Sequence, residues 1–214
     1  NALKIASLSF GTGDSAALQA LTTTQIGRLS TDQLRLLSTD QIKKLTETSQ
    51  IQALSTAQVA ALRTNQLNNL LVAQLQVLST KQIQSLTTAQ MTGLTDGGST
   101  AQVTNLTSTQ IGALTAAQAQ RLTSAAIVGL STTQVTAFST AALNAIQITA
   151  LETADIKELT SLQISRLSTE QLRRLSTTQI PNLETAQVVK LTTTQVAALR
   201  TEQLNSMEQA DLQA

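Results

Sequence analysis

Cysteine, histidine, tryptophan and tyrosine are absent from these 214 residues, and Phe10 and Phe138 are the only aromatic side chains. Without imidazole or thiol there is no histidine general base, no thiolate nucleophile, no imidazole or thiolate metal site and no disulfide. The missing cysteine leaves the compartment open, because it suits secretion and cytosol alike. Two aromatics can build neither a base-stacking platform nor an aromatic ligand cage. A dominant charge sign is missing too: fourteen basic and thirteen acidic side chains leave a net charge of +1, which argues against a nucleic-acid partner. No apolar run approaches the roughly eighteen residues that span a bilayer, so no membrane insertion is expected. Residues 1–20 lack the charged, apolar and small-residue series of a signal peptide. Either another signal serves secretion or the chain is a fragment of a longer protein, and a repeat running to the last residue favours the fragment.

What is present is a repeat of eight. From Leu21 onward the chain reads Leu, Ser/Thr, Thr, any, Gln, Ile/Val/Leu, any, any, as in Leu21–Arg28, Leu29–Leu36 and Leu37–Lys44. We number these positions one to eight. The leucine position recurs in twenty-four octads, and the glutamine position holds Gln in twenty; Ala126, Ala142, Asp155 and Asp211 are the exceptions. Residues 1–20 read as degenerate N-terminal repeats and a loop, with Asp14–Leu18 as one decayed unit. Residues 21–214 read as the octapeptide array, with one extra residue in Leu45–Leu54, an insertion at 95–98 and a deletion near 146–151. A fixed short period makes the chain a quasi-one-dimensional array in which units meet mainly their neighbours.

Three architectures compete. In one long helix an octad advances about 800°, so the apolar stripe would drift by about 80° per repeat and never settle on a partner. In a β-solenoid the two apolar positions, five apart, would point to opposite faces of an unbulged strand. Threonine and branched residues favour strands, so the β-solenoid stays as the alternative, although eight Gly and one Pro supply few turn residues. A short helix in every octad satisfies more rules. Ser/Thr at position two with Gln three residues later is a capping box, and the leucine before the cap can staple onto position six. Asp32, Asp40, Glu170 and Glu202 then fall in first turns, where the helix dipole favours them.

The cap register carries an ambiguity. Where position two is Arg63, Glu152, Glu184 or Arg200, position three is still Thr: Thr64, Thr153, Thr185 and Thr201. Either threonine caps a helix starting one residue later in those octads, or it has another structural task. A lone octad cannot fold, because two aliphatic side chains do not offset the ordering of eight backbones and so short a helix does not persist in water. The expected fold is therefore all-α, a repeat solenoid of short capped helices, one per octapeptide, with hand and octads per turn undetermined.

No octad stands out as a site. Lys43-Lys44 and Arg173-Arg174 fall at variable positions and read as solvated faces. Pro181 is expected to loosen a late helical bond. Asp96-Gly97-Gly98 reads as a tolerated loop insertion. Asp155 and Glu158 lie three apart on a helix and read as a solvated pair. No catalytic, cofactor-binding or metal-ligating residue is assigned, and no cofactor is expected.

The phrases Leu29–Leu34, Leu54–Leu62 and Leu191–Leu199 resemble the Leu-Thr-x-x-Gln-Ile-Ala-Ala-Leu arrays of very large bacterial exoproteins, often called adhesin-like or haem-utilisation-or-adhesion proteins. The resemblance implies a bacterial, extracellular or cell-surface location and transfers no functional residue. Many such arrays carry Pro at position three, where this chain carries Thr. The expected role is that of a structural spacer or stalk segment without catalysis. The alternatives are a protein- or glycan-binding solenoid platform and a filament or sheath subunit self-associating end to end.

Overall fold

The computed structural model describes residues 18–96 and 101–207. No strand occurs among the described residues, and nearly every octad holds one helical segment of four to eight residues or a shorter 3-10 turn. The chain divides into two compact units, residues 1–94 and 95–214. Unit 1 runs through helices Thr23–Gly27, Thr31–Leu36, Thr39–Ile42, a π-helix Glu47–Ile51, then Thr56–Ala61, Thr64–Asn68, Val72–Gln76, Thr80–Gln84 and Thr88–Thr95, whose last residue opens unit 2. Unit 2 continues with a 3-10 turn Gln102–Asn105 and helices Ser108–Gly112, Ala116–Ala119, Ser124–Val128, Thr132–Thr136 and Thr140–Leu143. After a 3-10 turn Ile148–Ala150 come Thr153–Glu158, Ser161–Ser165, Thr169–Arg174, a 3-10 turn Ile180–Asn182, Thr185–Val188, Thr193–Ala198 and Thr201–Ser206.

Position two is the cap. Thr22 is extended, at φ −69° and ψ 160°, and its hydroxyl accepts the Gln25 amide while Gln25 Oε1 accepts the Thr22 amide at 2.8 Å. Ser30, Ser55, Ser79 and Thr107 repeat the arrangement. The helix begins at the same place where position two is Arg63, Glu152, Glu184 or Arg200, so Thr64, Thr153, Thr185 and Thr201 are first helical residues and not caps. In the Arg63, Glu184 and Arg200 octads the glutamine alone serves the start, accepting the position-two amide at 2.7–2.9 Å. The Leu71 octad is the same, with Gln74 Oε1 on the Leu71 amide at 2.9 Å and no hydroxyl cap. Leu71→Ser supplies the missing acceptor on an exposed residue and is expected to stabilise unit 1 by about 0.5–1 kcal/mol in urea titration.

The leucine of the next octad closes the corner, whether the helix ends on it, as at Leu37, or a residue earlier, as at Arg28. The Leu29 amide donates to Ile26 O at 3.1 Å and Leu37 to Leu34 O at 3.2 Å, the same bond closing corner after corner. Leu37 itself is extended, at φ −62° and ψ 136°. Any L-residue adopts those angles, which is why so many corners need so little glycine or proline.

Helices stack three octads apart. Thr31–Leu36 packs on Thr56–Ala61, Thr132–Thr136 on Thr153–Glu158, and Thr169–Arg174 on Thr193–Ala198. Position six is the inner core: Ile26, Leu34, Ile42, Val59, Leu67, Leu75, Ile83, Ile111, Ile164 and Leu172 are fully buried, with most leucines of position one nearly so. In the last three described octads, by contrast, Val188, Leu191 and Leu204 are half-buried and Val196 is exposed. Stacking brings backbones close in places. A Cβ on Gly112 would lie 2.8 Å from Ala137 O, whereas one on Gly27 would sit 3.5 Å from Ala53 O, an ordinary contact. Gly112→Ala is expected to destabilise unit 2 by about 1–3 kcal/mol, and Gly27→Ala to be neutral or stabilising by up to about 1 kcal/mol; thermal melts of the two variants check the contrast.

The irregular octads show what is protected. The extra residue in Leu45–Leu54 is absorbed as the π-helix Glu47–Ile51, with Ile51 N reaching back five residues to Thr46 O at 3.1 Å. The short unit after Ile146 becomes the 3-10 turn Ile148–Ala150, which keeps Ile148 fully buried. Pro181 sits inside the 3-10 turn Ile180–Asn182, where its octad has no α-helix. Of the insertion near 95–98, Asp96 is an exposed turn residue, and Gly97 and Gly98 lie outside the described residues, as do residues 1–17 and Asp211.

Candidate functional site

The recurring polar feature of both units is the position-five glutamine, and it faces inward. Gln50, Gln58, Gln66, Gln74, Gln82 and Gln90 in unit 1 are buried, as are Gln134, Gln163, Gln171, Gln179, Gln187, Gln195 and Gln203 in unit 2. Its Oε1 closes the capping box of its own octad. Its Nε2 crosses to the preceding turn, where two backbone carbonyls await it. Gln58 Nε2 donates to Ile26 O at 2.9 Å and Leu29 O at 2.8 Å; Gln66 donates to Leu34 O and Leu37 O at 2.8 and 2.7 Å. In unit 2, Gln195 grips Ile164 O and Leu167 O at 3.0 and 2.8 Å, and Gln203 grips Leu172 O and Leu175 O, both at 2.8 Å.

The geometry leaves the amide one orientation, since the oxygen must accept an N–H and the nitrogen must donate twice. The leucine carbonyl gripped belongs to the octad three earlier and its companion to the one before that. One solenoid turn in either unit therefore takes between three and four octads. The π-helix keeps Gln50 in this role: it donates to Leu18 O at 2.9 Å and Leu21 O at 2.8 Å despite the extra residue. Leu18, fully buried, thus takes position six of the decayed unit before Leu21.

Sequence reasoning read this glutamine only as half of a capping box. The overlooked signal is that no octad carries Glu at position five, although a capping box accepts Glu as readily as Gln. A carboxylate cannot donate to two carbonyls. Buried polar groups must be paired, and the carboxamide pairs three backbone groups at once.

Several expectations change. Asp155 is not half of a solvated pair: it is buried, 4% exposed, with Oδ2 accepting the Glu152 amide at 3.2 Å, while Glu158 alone is exposed. Gln147, the glutamine of the octad that begins at Ile146, does not stand at position five: it lies at the start of the 3-10 turn and meets the Ser124 hydroxyl. In the Ser168 octad Asn144 intrudes. Its Oδ1 accepts the Ser168 amide at 2.7 Å, which leaves Gln171 Oε1 buried without a hydrogen-bond partner while Gln171 Nε2 still grips Asn144 O and Ile146 O. Arg173 and Arg174 are exposed, with Arg174 Nε on Glu170 Oε1 at 3.0 Å, an exposed pair of small energetic weight.

A depression of about 440 Å³ lies beside the helices Thr132–Thr136 and Thr153–Glu158, lined by Thr132, Thr133, Thr136, Ala154, Lys157 and Glu158. It is open to solvent, and its Thr136 hydroxyl donates to Thr133 O at 3.2 Å and not to Glu158. Among the described residues no acidic cluster is placed to hold a metal ion, and no helix is long and apolar enough to cross a membrane.

Two stretches, residues 14–47 and 148–185, match the family described as the ALTTAQ repeat. No curated protein and no solved structure shows significant similarity to the chain. The octad periodicity, the stacked helices and these two matches agree: the chain is a repeat protein, built as an all-α solenoid of short helices.

Proposed function

We propose that the array is a structural spacer or stalk segment of a bacterial secreted or cell-surface exoprotein of the adhesin-like kind, and that it carries no catalysis. The observation that supports this reading is the glutamine clamp. The position-five glutamine turns inward to hold the stack, and what recurs on the outside is the threonine hydroxyl of position three, exposed in Thr23, Thr31, Thr56, Thr153 and Thr193. The composition adds to it, since no histidine or cysteine is present to build an acid-base or thiol centre. A part whose chemistry is its own cohesion suits a role in which length and resilience are the product.

The test is a length series. Removing or duplicating the three octads Leu159–Asn182 should change the maximum dimension in small-angle X-ray scattering by a constant step. The step expected per three octads is about 10 Å, the spacing of packed helices, with helical circular dichroism per residue unchanged. A dimension that does not follow octad number overturns the reading. So does a saturable glycan or protein ligand that is lost when Arg173 and Arg174 are changed to Ala with the fold retained, which would install the binding platform instead.

A further inference from the structure

Three successive octads of unit 2 lack the clamp. Position five is Ala142 in the Phe138 octad and Asp155 in the Leu151 octad, and the shortened octad between them has lost the position altogether. Elsewhere in unit 2 the leucine carbonyl three octads earlier is gripped: Leu106 O by Gln134 at 2.6 Å and Phe138 O by Gln163 at 2.9 Å. Between these two columns lie Leu114, Leu122 and Leu130. All three residues are buried, and among the described residues no donor reaches their carbonyls. Ala142 has no polar side chain, and Asp155 offers only acceptors once Oδ2 has taken the Glu152 amide.

Three octads make up most of a solenoid turn, so the gaps do not scatter. They line up into one plane between the turn holding Leu114, Leu122 and Leu130 and the turn that follows. Across that plane Ala116–Ala119 packs on Thr140–Leu143, Ser124–Val128 on Ile148–Ala150, and Thr132–Thr136 on Thr153–Glu158. The packing is apolar, supplemented by the side-chain contact of Ser124 with Gln147. The depression beside Thr132 and Lys157 marks the rim of the same plane.

We propose that unit 2 opens first along this plane, by separation of two clamped blocks whose facing octads, stripped of their neighbours, then fray and release the amides of Leu143 and Ile156 from Ser139 O and Glu152 O. Buried carbonyls without donors are costly in the closed state and gain water on opening. The clamped columns on either side lose hydrogen bonds when they part. Three consecutive missing latches make the plane a built-in hinge, where Ala126 leaves a single gap. It follows from the octads' own chemistry and stands whether or not the array serves as a spacer.

Native-state hydrogen exchange on the full chain tests it. A plain array frays from its ends, so interior amides should be the slowest. The hinge reverses this order. Leu143 and Ile156 should exchange at least about tenfold faster than Ile164 and Leu172, which belong to clamped octads further along. Restoring donors with Ala142→Gln and Asp155→Gln should slow Leu143 and Ile156 toward the clamped amides. Equal protection in the parent chain overturns the proposal, as does unchanged exchange in variants that keep their helical circular dichroism. Should the added carboxamides prevent folding, Gln179→Ala gives the converse reading. It unlatches the carbonyls of Ile148 and Leu151, and a new dip in protection should appear at Leu151 and Ile180. No dip there means the clamp does not hold the turns together, and the hinge falls with it.

Discussion

Gln74→Ala is expected to cost unit 1 about 4 kcal/mol, more than most single truncations of a polar side chain. Gln74 is fully buried. Its Nε2 donates to Ile42 O, Lys43 O and Leu45 O at 3.1, 3.2 and 2.7 Å, and its Oε1 takes the Leu71 amide at 2.9 Å. No hydroxyl stands ready at position two, because that residue is leucine. Truncation therefore strands backbone groups on two turns at once. Gln74→Glu separates the two halves of the role. The carboxylate still accepts from Leu71 but meets the gripped carbonyls with no proton to offer. Burial and those oxygens push its carboxyl above the ordinary glutamate range of about 4.3. A carboxyl raised in the folded state makes its deficit largest above the folded value. The deficit shrinks as pH falls through that value toward the unfolded one. Urea midpoints at pH 7.5 and pH 5 measure this, and a deficit indifferent to pH would remove the donor from the account.

Ile164→Ala is expected to cost about 3 kcal/mol, while Leu162→Ala, two residues earlier, should move stability by no more than about 0.5 kcal/mol. Ile164 is fully buried at position six and Leu162 is 61% exposed at position four. Hydropathy alone ranks the two alike, and only the octad register tells them apart. Because each octad leans on neighbouring turns, the loss at Ile164 should broaden the thermal transition as well as lower it. Equal effects at the two positions would place the core elsewhere.

The local structure was readable because its rules are local. Ser/Thr at position two, Gln three residues on and a leucine just before specify one helix start, and the structure adopts it even where Arg63 or Glu184 replaces the hydroxyl. The turn was not readable. Whether Gln58 reaches the Leu29 octad or another depends on how corners accumulate in space, and no eight-residue window contains that sum. Asp155 was misread for the same reason. Three-residue spacing to Glu158 suggested a wet surface, while its place in the glutamine column buries it. The π-helix at Glu47–Ile51 and the 3-10 turn at Ile148–Ala150 answer to that column as well: the first keeps its glutamine in line, and the second has none to keep.

The clamp counts octads and not residues, and this bears on how such a gene can change. When a whole octad is duplicated or lost, the glutamines of the next few octads meet a different leucine carbonyl of the same chemistry, those further along keep the one they had, and the latches close again. A shift of one residue has no such remedy and must be taken up inside a helix, as it is between Leu45 and Leu54. Replication slippage in whole octads therefore yields longer or shorter folded arrays, whereas small frame-preserving indels within an octad are filtered by folding. The length of the array is heritable variation that selection can read without first repairing the fold.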